Sequence, residues 1–329
     1  MAVVYFNVPG SFGGGGPSVF VAKTAQAFAK LGHKVIYDNP GRADVCIGII
    51  ETGKILRKID RSKTKVVLRV DGIYNKEYNK LFNRAVRPDM TALHDKLKQD
   101  LVSVDWVVYQ SQWSKDCIDS EIVERDANFS VIHNAVDTNL FKPMPRGKSI
   151  DTNLFHVGKM RNGYLMESLI GTYQELKKRG HKVKLILVGS MDGECQAVFN
   201  KYVADKNIQH LGSFSNTALT AAYNKGDIYI GPRQGSSSDN VIAEAQACGL
   251  PVVIPSFGGN TDMVFNDFSG VVVPADQWNY GEAYNNRLAD GVERIMKDLD
   301  GFKARARQHA EKELSIDKMV SEYLKVMGI

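Results

Sequence analysis

Short apolar runs alternate along this chain with longer stretches in which apolar residues recur every three or four positions. The runs AVVYFN (2–7), VVLRV (66–70), WVVYQ (106–110), NFSVI (128–132), LILVG (185–189), DIYIG (227–231), PVVIP (251–255) and GVVVP (270–274) are nearly continuous, not two-sided. Strands buried on both faces of a parallel sheet have this composition. Between them the pattern predicts helices over about Pro17–Leu31 and Tyr164–Arg179. Pro17 suits a first helical position and Gly32 the position just past the end. One construction occurs twice: strand, glycine-containing loop, helix, then LGHKVIYD in the first half and RGHKVKLILVG in the second. The fold class that follows is α/β, two Rossmann-like domains with parallel sheets. The prolines and charges of KPMPRGKS (142–149) mark the junction, giving an N-terminal domain over 1–148 and a second domain over 149–312. Ligands of open α/β sheets gather at the carboxyl ends of strands, so a site between the halves is expected.

Length and composition agree with two soluble globular domains: 329 residues, 43% hydrophobic, 24% charged, with a net charge of +5. No apolar run approaches a membrane span, and MAVVYFNVPG has no leader-like pattern. Cys46, Cys117, Cys195 and Cys248 are scattered with no CxxC spacing, which predicts buried thiols in a reducing, cytoplasmic compartment. The histidines show no metal spacing. The basic run KILRKIDRSKTK (54–65) reads as a solvated connecting segment, compatible also with peripheral membrane contact. Without aromatic-interleaved basic stripes, nucleic acid is not an expected partner.

The densest candidate chemistry lies in PRQGSSSDNVIAEAQACGLPVVIPSFGGNTDMV, from Pro232 to Val264. It reads as a polar loop, a short helix capped by Ser236, Ser237, Ser238 and Asp239, a Gly249-Leu250-Pro251 stop, a buried strand and a turn at Gly258-Gly259. Backbone N–H groups at such a helix start receive anions, and Glu244, within its first two turns, can accept hydroxyl hydrogen bonds from a sugar. Phosphate donors beside a hydroxyl acceptor suit a nucleotide sugar.

With HNAVDTNLFKP (133–143), VGKMRNG (157–163), the segment from DIYIG to Val264, NDFSGVVVP (266–274) and SIDKMVSEYLKVMGI (315–329) in this order, the chain resembles the retaining, nucleotide-sugar-dependent glycosyltransferases of the GT-B fold, family four. The resemblance implies two domains facing across a cleft and a closing helix, here 313–329, that crosses back onto the first domain. It implies a diphosphate held by Lys159 and Arg161 in the loop after the second domain's first strand, with no obligatory metal or other cofactor. Glu244 matches the family's ribose-binding glutamate. Eight positions earlier, where the family carries a second glutamate that touches the donor sugar, stands Ser236. Asp239 or Ser236 itself would then contact the sugar, and Asp262 replaces a usual glutamate.

Donor contacts implied by the resemblance also include Gly158, Arg233, Ser238, Asn240 and Val241, together with Gly14, Gly15 and Gly16 of the loop FGGGGPS (12–18). Catalytic positions would add Arg69 and Asp71, which follow a first-domain strand. Ser111 matches an acceptor-side position. His94, beside Asp95, reads as a helix-surface histidine, with an acceptor-side place as the alternative. Phe214 and Tyr223 read as aromatic core, with a place lining the nucleotide base as the alternative.

The activity implied is transfer of a sugar from a nucleotide diphosphate to a hydroxyl of a glycan, a lipid-linked or a small-molecule acceptor, with retention at the anomeric carbon. Ser236 keeps open a nucleotide-sugar-binding protein without turnover. Another GT-B enzyme, an epimerase or a phosphorylase, is the third alternative.

Overall fold

The computed structural model describes residues 1–11, 15–71, 89–147 and 150–329. The chain divides into two compact units, Met1–Ala135 with Ile316–Ile329, and Val136–Ser315. The proline-bearing segment from Lys142 therefore lies inside the second unit.

The first unit is built on a six-stranded sheet of order β2-β1-β3-β4-β5-β6, every pairing parallel. Its strands are β1 (Val3–Phe6), β2 (Lys34–Ile36), β3 (Val45–Ile49), β4 (Lys65–Arg69), β5 (Trp106–Tyr109) and β6 (Phe129–Val131). Helix α1 (Gly16–Lys30) starts with Pro17 in its first turn and ends before Gly32, whose φ is +83°. The His33 N–H returns to the Phe28 carbonyl, closing the helix end. The second half repeats this closure: His181 N–H reaches the Leu176 carbonyl past Gly180 at φ +88°. This geometry underlies the two G-H-K junctions in the sequence. Helices α2 (Gly53–Leu56), α3 (Asp89–Ser103) and α4 (Gln112–Glu121) complete the described helices of residues 1–135.

The last helix, Ile316–Met327, belongs to the first unit's core. Met319, Val320, Tyr323, Val326 and Met327 are buried with Val4, Phe6, Phe20 and Ile47. Tyr323 lies 5.5 Å from Phe20, ring centre to ring centre.

The second unit has a parallel sheet of order β12-β11-β10-β7-β8-β9. Its strands are β7 (Thr152–Val157), β8 (Val183–Val188), β9 (Ile208–His210), β10 (Ile228–Ile230), β11 (Val252–Pro255) and β12 (Gly270–Val273). Helices α5 (Gly163–Lys178), α6 (Gly193–Asn200), α7 (Asn216–Tyr223), α8 (Asn240–Ala247), α9 (Glu282–Met296) and α10 (Leu299–Glu313) cover the sheet. Two apolar layers, one centred on Leu154, Leu169 and Leu288, the other on Phe155, Tyr223 and Ile254, form its core.

In this order the chain runs outward from β7 to β8 and β9, then returns to place β10 on β7's other side. Such a reversal leaves a crevice at the carboxyl ends of the two central strands. The loops leaving β7 and β10 therefore open side by side.

Candidate donor site of the second unit

The loop after β7 carries Gly158, Lys159, Met160, Arg161 and Asn162. Met160 is fully buried and pairs with Met191 in an isolated bridge, while Lys159 and Arg161 on either side are exposed. Alternate residues of an extended segment face opposite ways, so the two cations project together. The loop is fixed from below by Asp192, whose Oδ2 accepts from Asn162 N–H (2.8 Å) and Oδ1 from Cys195 N–H (2.9 Å). Burial pushes the Asp192 carboxyl up, but these N–H donors outweigh it and hold it below its ordinary value. Among the described residues, neither Lys159 nor Arg161 forms an ion pair.

The loop after β10 runs from Gly231 to Asp239. Its helix, α8, begins at Asn240, and Asp239 provides no side-chain cap. The sequence expectation of a serine- and aspartate-capped start is corrected here. Asp239 and Asn260 instead bond each other twice: Asp239 N–H to Asn260 Oδ1 (2.8 Å) and Asn260 Nδ2 to Asp239 Oδ2 (2.9 Å). Ser238 donates to the Met263 sulfur. Among the described residues, the first N–H groups of α8, at Asn240 and Val241, thus receive no cap from the Asp239 side chain, as an anion requires. Ser236 is only 5% exposed, its Oγ has no partner among the described residues, and its carbonyl accepts from Gly259 N–H. Arg233 in the same loop is exposed, and Asp262 is exposed beyond the turn at Gly258.

Glu244 is buried on α8, and Tyr223 Oη donates to its Oε2 at 2.8 Å. Tyr223 packs on Phe155 and Phe141, so its ring is core as expected while its hydroxyl orients the carboxylate. Burial, then the Glu244 charge, drives the Tyr223 phenol well above its usual value, keeping it a donor. Phe214, by contrast, is 37% exposed and is not core.

Beneath both loops lies His156, the penultimate residue of β7. Its Nδ1 sits 2.8 Å from the Ile230 carbonyl, which can only accept, so Nδ1 carries the proton. Burial lowers its pKa to about 4, leaving the ring neutral, stacked near Tyr229.

Sequence reading missed the segment that shapes the second loop. Trp278 N–H donates to Gln234 Oε1 (2.6 Å), Gln234 Nε2 to the Asn279 carbonyl (3.2 Å) and Gln234 N–H to Tyr280 Oη (3.0 Å). Tyr284 Oη reaches the Pro232 carbonyl at 2.7 Å. Gly235 has φ +68°, and a Cβ there would stand 2.0 Å from the Trp278 ring. Tyr280 stacks on Tyr164, 4.3 Å between ring centres, in the first turn after the Lys159–Asn162 loop. The one visible signal was the aromatic cluster QWNY after β12.

In the first unit the expected residues divide. Gly14 lies outside the described residues. Gly15 is the N-cap of α1 and Gly16 its first residue, both in uncrowded surroundings. The glycine that packing demands is Gly10, where a Cβ would meet the Ala22 backbone at 2.7 Å. Arg69, expected near the ligand, is 2% exposed, stacked 3.8 Å over Phe20 and bonded to Asn134 Oδ1 at 2.7 Å. It also pairs with Asp71 Oδ1, which accepts from Gln110 as well. Arg69 thus lies within the core as the counter-ion of Asp71, whose Oδ2 has no partner among the described residues. Ser111 is fully buried and spends its Oγ capping α4 through Ser114 N–H. His94, expected on a helix surface, is buried at 8% exposure, while Asp95 is exposed.

Among the described residues no helix is long and apolar enough to cross a membrane. All four cysteines are free thiols, and burial pushes Cys46, Cys195 and Cys248 up to about 12.

Comparison with known proteins matches residues 151–298 to the family model of glycosyl transferases group 1. Among curated proteins, the chain is 23% identical over 207 residues to the phosphatidylinositol N-acetylglucosaminyltransferase gpi3 subunit of Schizosaccharomyces pombe, covering 61% of this chain and 43% of that protein. It is 33% identical over 111 residues to D-inositol 3-phosphate glycosyltransferase of Salinispora tropica, covering 33% and 22%. The chain spans less than half the length of these relatives. Among solved structures, sucrose-phosphate synthase of Thermosynechococcus elongatus superposes with a TM-score of 0.75 at 15% identity, covering 98% and 97% of the two chains. Anabaena Alr3699/HepE in complex with UDP and glucose gives 0.74 at 14%, covering 100% and 99%. Residues 151–298 are therefore a domain of the glycosyl transferases group 1 family, carried on a chain with the GT-B glycosyltransferase fold.

Proposed function

We propose that the protein transfers a sugar from a nucleotide diphosphate to an acceptor hydroxyl, with retention and without an obligatory metal. One observation carries this reading: two exposed cations, Lys159 and Arg161, with no ion-pair partner among the described residues, leave β7 beside the start of α8, which Asp239 does not cap and which buries Glu244. The cations and the helix N–H groups suit a diphosphate, and Glu244, oriented by Tyr223, suits the ribose hydroxyls. Because the Alr3699/HepE structures hold UDP or UDP-glucose, uridine is the first base to test.

In the reaction, the bond from the anomeric carbon to the phosphate oxygen breaks and its electron pair stays on that oxygen. The acceptor oxygen bonds to the same face of the carbon, and its proton passes to the departing phosphate. Charge that accumulates on the diphosphate is stabilised by Lys159, Arg161 and the helix dipole, fixed before the reaction begins. No protein base is required. Ser236 supports a second reading, a nucleotide-sugar-binding protein without turnover, since it places no carboxylate where a donor sugar would lie.

The test follows sugar release and transfer from UDP-, GDP- and ADP-sugars, with the product anomer read by NMR. Lys159→Ala and Glu244→Ala should each nearly abolish turnover while remaining folded. Undiminished turnover in both would refute the assignment. Tight donor binding with no turnover on any acceptor would establish the second reading.

A further inference from the structure

The first unit reverses its strand order as the second does. The chain goes from β1 to β2 on one side, then places β3 on the other, so its crevice lies between the carboxyl ends of β1 and β3. Asn7 follows β1 and Ile50 follows β3. Ile50 has φ +71° and is 43% exposed. A β-branched side chain strongly disfavours this left-handed conformation, so something must hold it there.

The holder is Asn7. Its Oδ1 accepts from Ile49 N–H (2.8 Å), and its Nδ2 donates to the carbonyls of Ile49 (3.1 Å) and Glu51 (2.9 Å), clamping the residues on both sides of Ile50. Ile50 N–H donates to the Arg69 carbonyl at 3.1 Å, Glu51 pairs with Lys96, and Thr52 N–H is taken by Asp100 Oδ2 at 2.8 Å. Every neighbour is pinned, and the outcome is one apolar side chain turned outward at the ligand-bearing edge. Two residues past the Arg69 carbonyl stands Asp71, whose buried Oδ2 has no partner among the described residues. Strain of this kind survives where the surroundings over-determine it, and it gathers at ligand sites.

We propose that Ile50, positioned by Asn7, contacts the acceptor and selects one bearing an apolar group close to its hydroxyl head, with Asp71 Oδ2 receiving a head-group hydroxyl. The acceptor role rests on the transferase reading above; the apolar selection is a binding property that can be measured without turnover. The two failures therefore separate.

The experiment compares hexyl and methyl β-D-glucopyranoside, identical in head and different in tail, by saturation-transfer NMR. Wild type should bind the hexyl glycoside about ten-fold more tightly, from burial of the tail. Ile50→Gly and Ile50→Asn both tolerate positive φ, so both should melt at or above wild type yet bind the two glycosides alike. No hexyl preference in wild type, or the same preference in both variants, overturns the proposal. So does a lower melting temperature in both, which would make Ile50 a packing group. Absence of a UDP-induced melting shift in wild type would count against the donor reading alone, since the glycoside comparison still decides Ile50.

Discussion

The hydroxyl of Tyr223 donates to Oε2 of Glu244 across 2.8 Å, with both side chains buried in the second unit. A buried carboxylate that loses a donor costs about 1–3 kcal/mol. Tyr223→Phe should therefore lower the unfolding free energy by about that amount and weaken nucleotide binding, because the carboxylate is then less well oriented. Denaturant titration and calorimetry of the same variant check both effects.

Lys159 and Arg161 are exposed, so their loss should scarcely affect folding. Lys159→Ala and Arg161→Ala are expected to stay within about 0.5 kcal/mol of wild-type stability while nucleoside diphosphate binding falls at least about ten-fold. Binding should also weaken with salt more steeply in wild type than in the variants. Titrations at two ionic strengths decide it.

Gly235 and Trp278 occupy one another's space. Gly235→Ala adds a Cβ 2.0 Å from the indole at a backbone φ of +68°, and should cost about 2 kcal/mol or more. In a Trp278→Ala background the same change should cost less by at least about 1 kcal/mol. A double-mutant cycle by chemical denaturation reads this coupling, and additive costs would show that the loop moves freely away from the ring.

His156 makes acid stability predictable in sign. The native ring stays neutral down to about 4, whereas the unfolded chain takes up its proton near the ordinary histidine value of 6.5. As pH falls from 6.5 towards 4 the unfolded state binds a proton the native state does not, and about 3 kcal/mol of stability is lost. Above 6.5 this contribution is complete. His156→Gln, which can still donate to the Ile230 carbonyl, should flatten stability over that window. An unchanged slope would contradict the assignment.

The strands were legible because each is a short run of apolar residues that a two-sided sheet must bury, and the G-H-K junctions because one helix closure serves both halves. Lys159 and Arg161 were singled out through the family resemblance, as was Glu244 for the ribose, and the structure puts the two cations in the loop after β7 and Glu244 on α8. The rest depends on partners distant along the chain. Arg69 reads as a catalytic position until Phe20, Asp71 and Asn134 are brought round it. Gln234 meets Trp278 across 44 positions, which no local period encodes. The serine and aspartate before Asn240 carry capping residue types, yet Asn260 claims Asp239 from another loop.

The most direct measurement is calorimetric titration of UDP, GDP and ADP into wild type and the Lys159→Ala/Arg161→Ala double variant, in magnesium and in EDTA. One nucleotide should bind wild type equally in both buffers and bind the variant at least about ten-fold more weakly. If no nucleotide binds, or if binding requires magnesium and is indifferent to the two cations, a donor site at the ends of β7 and β10 is wrong.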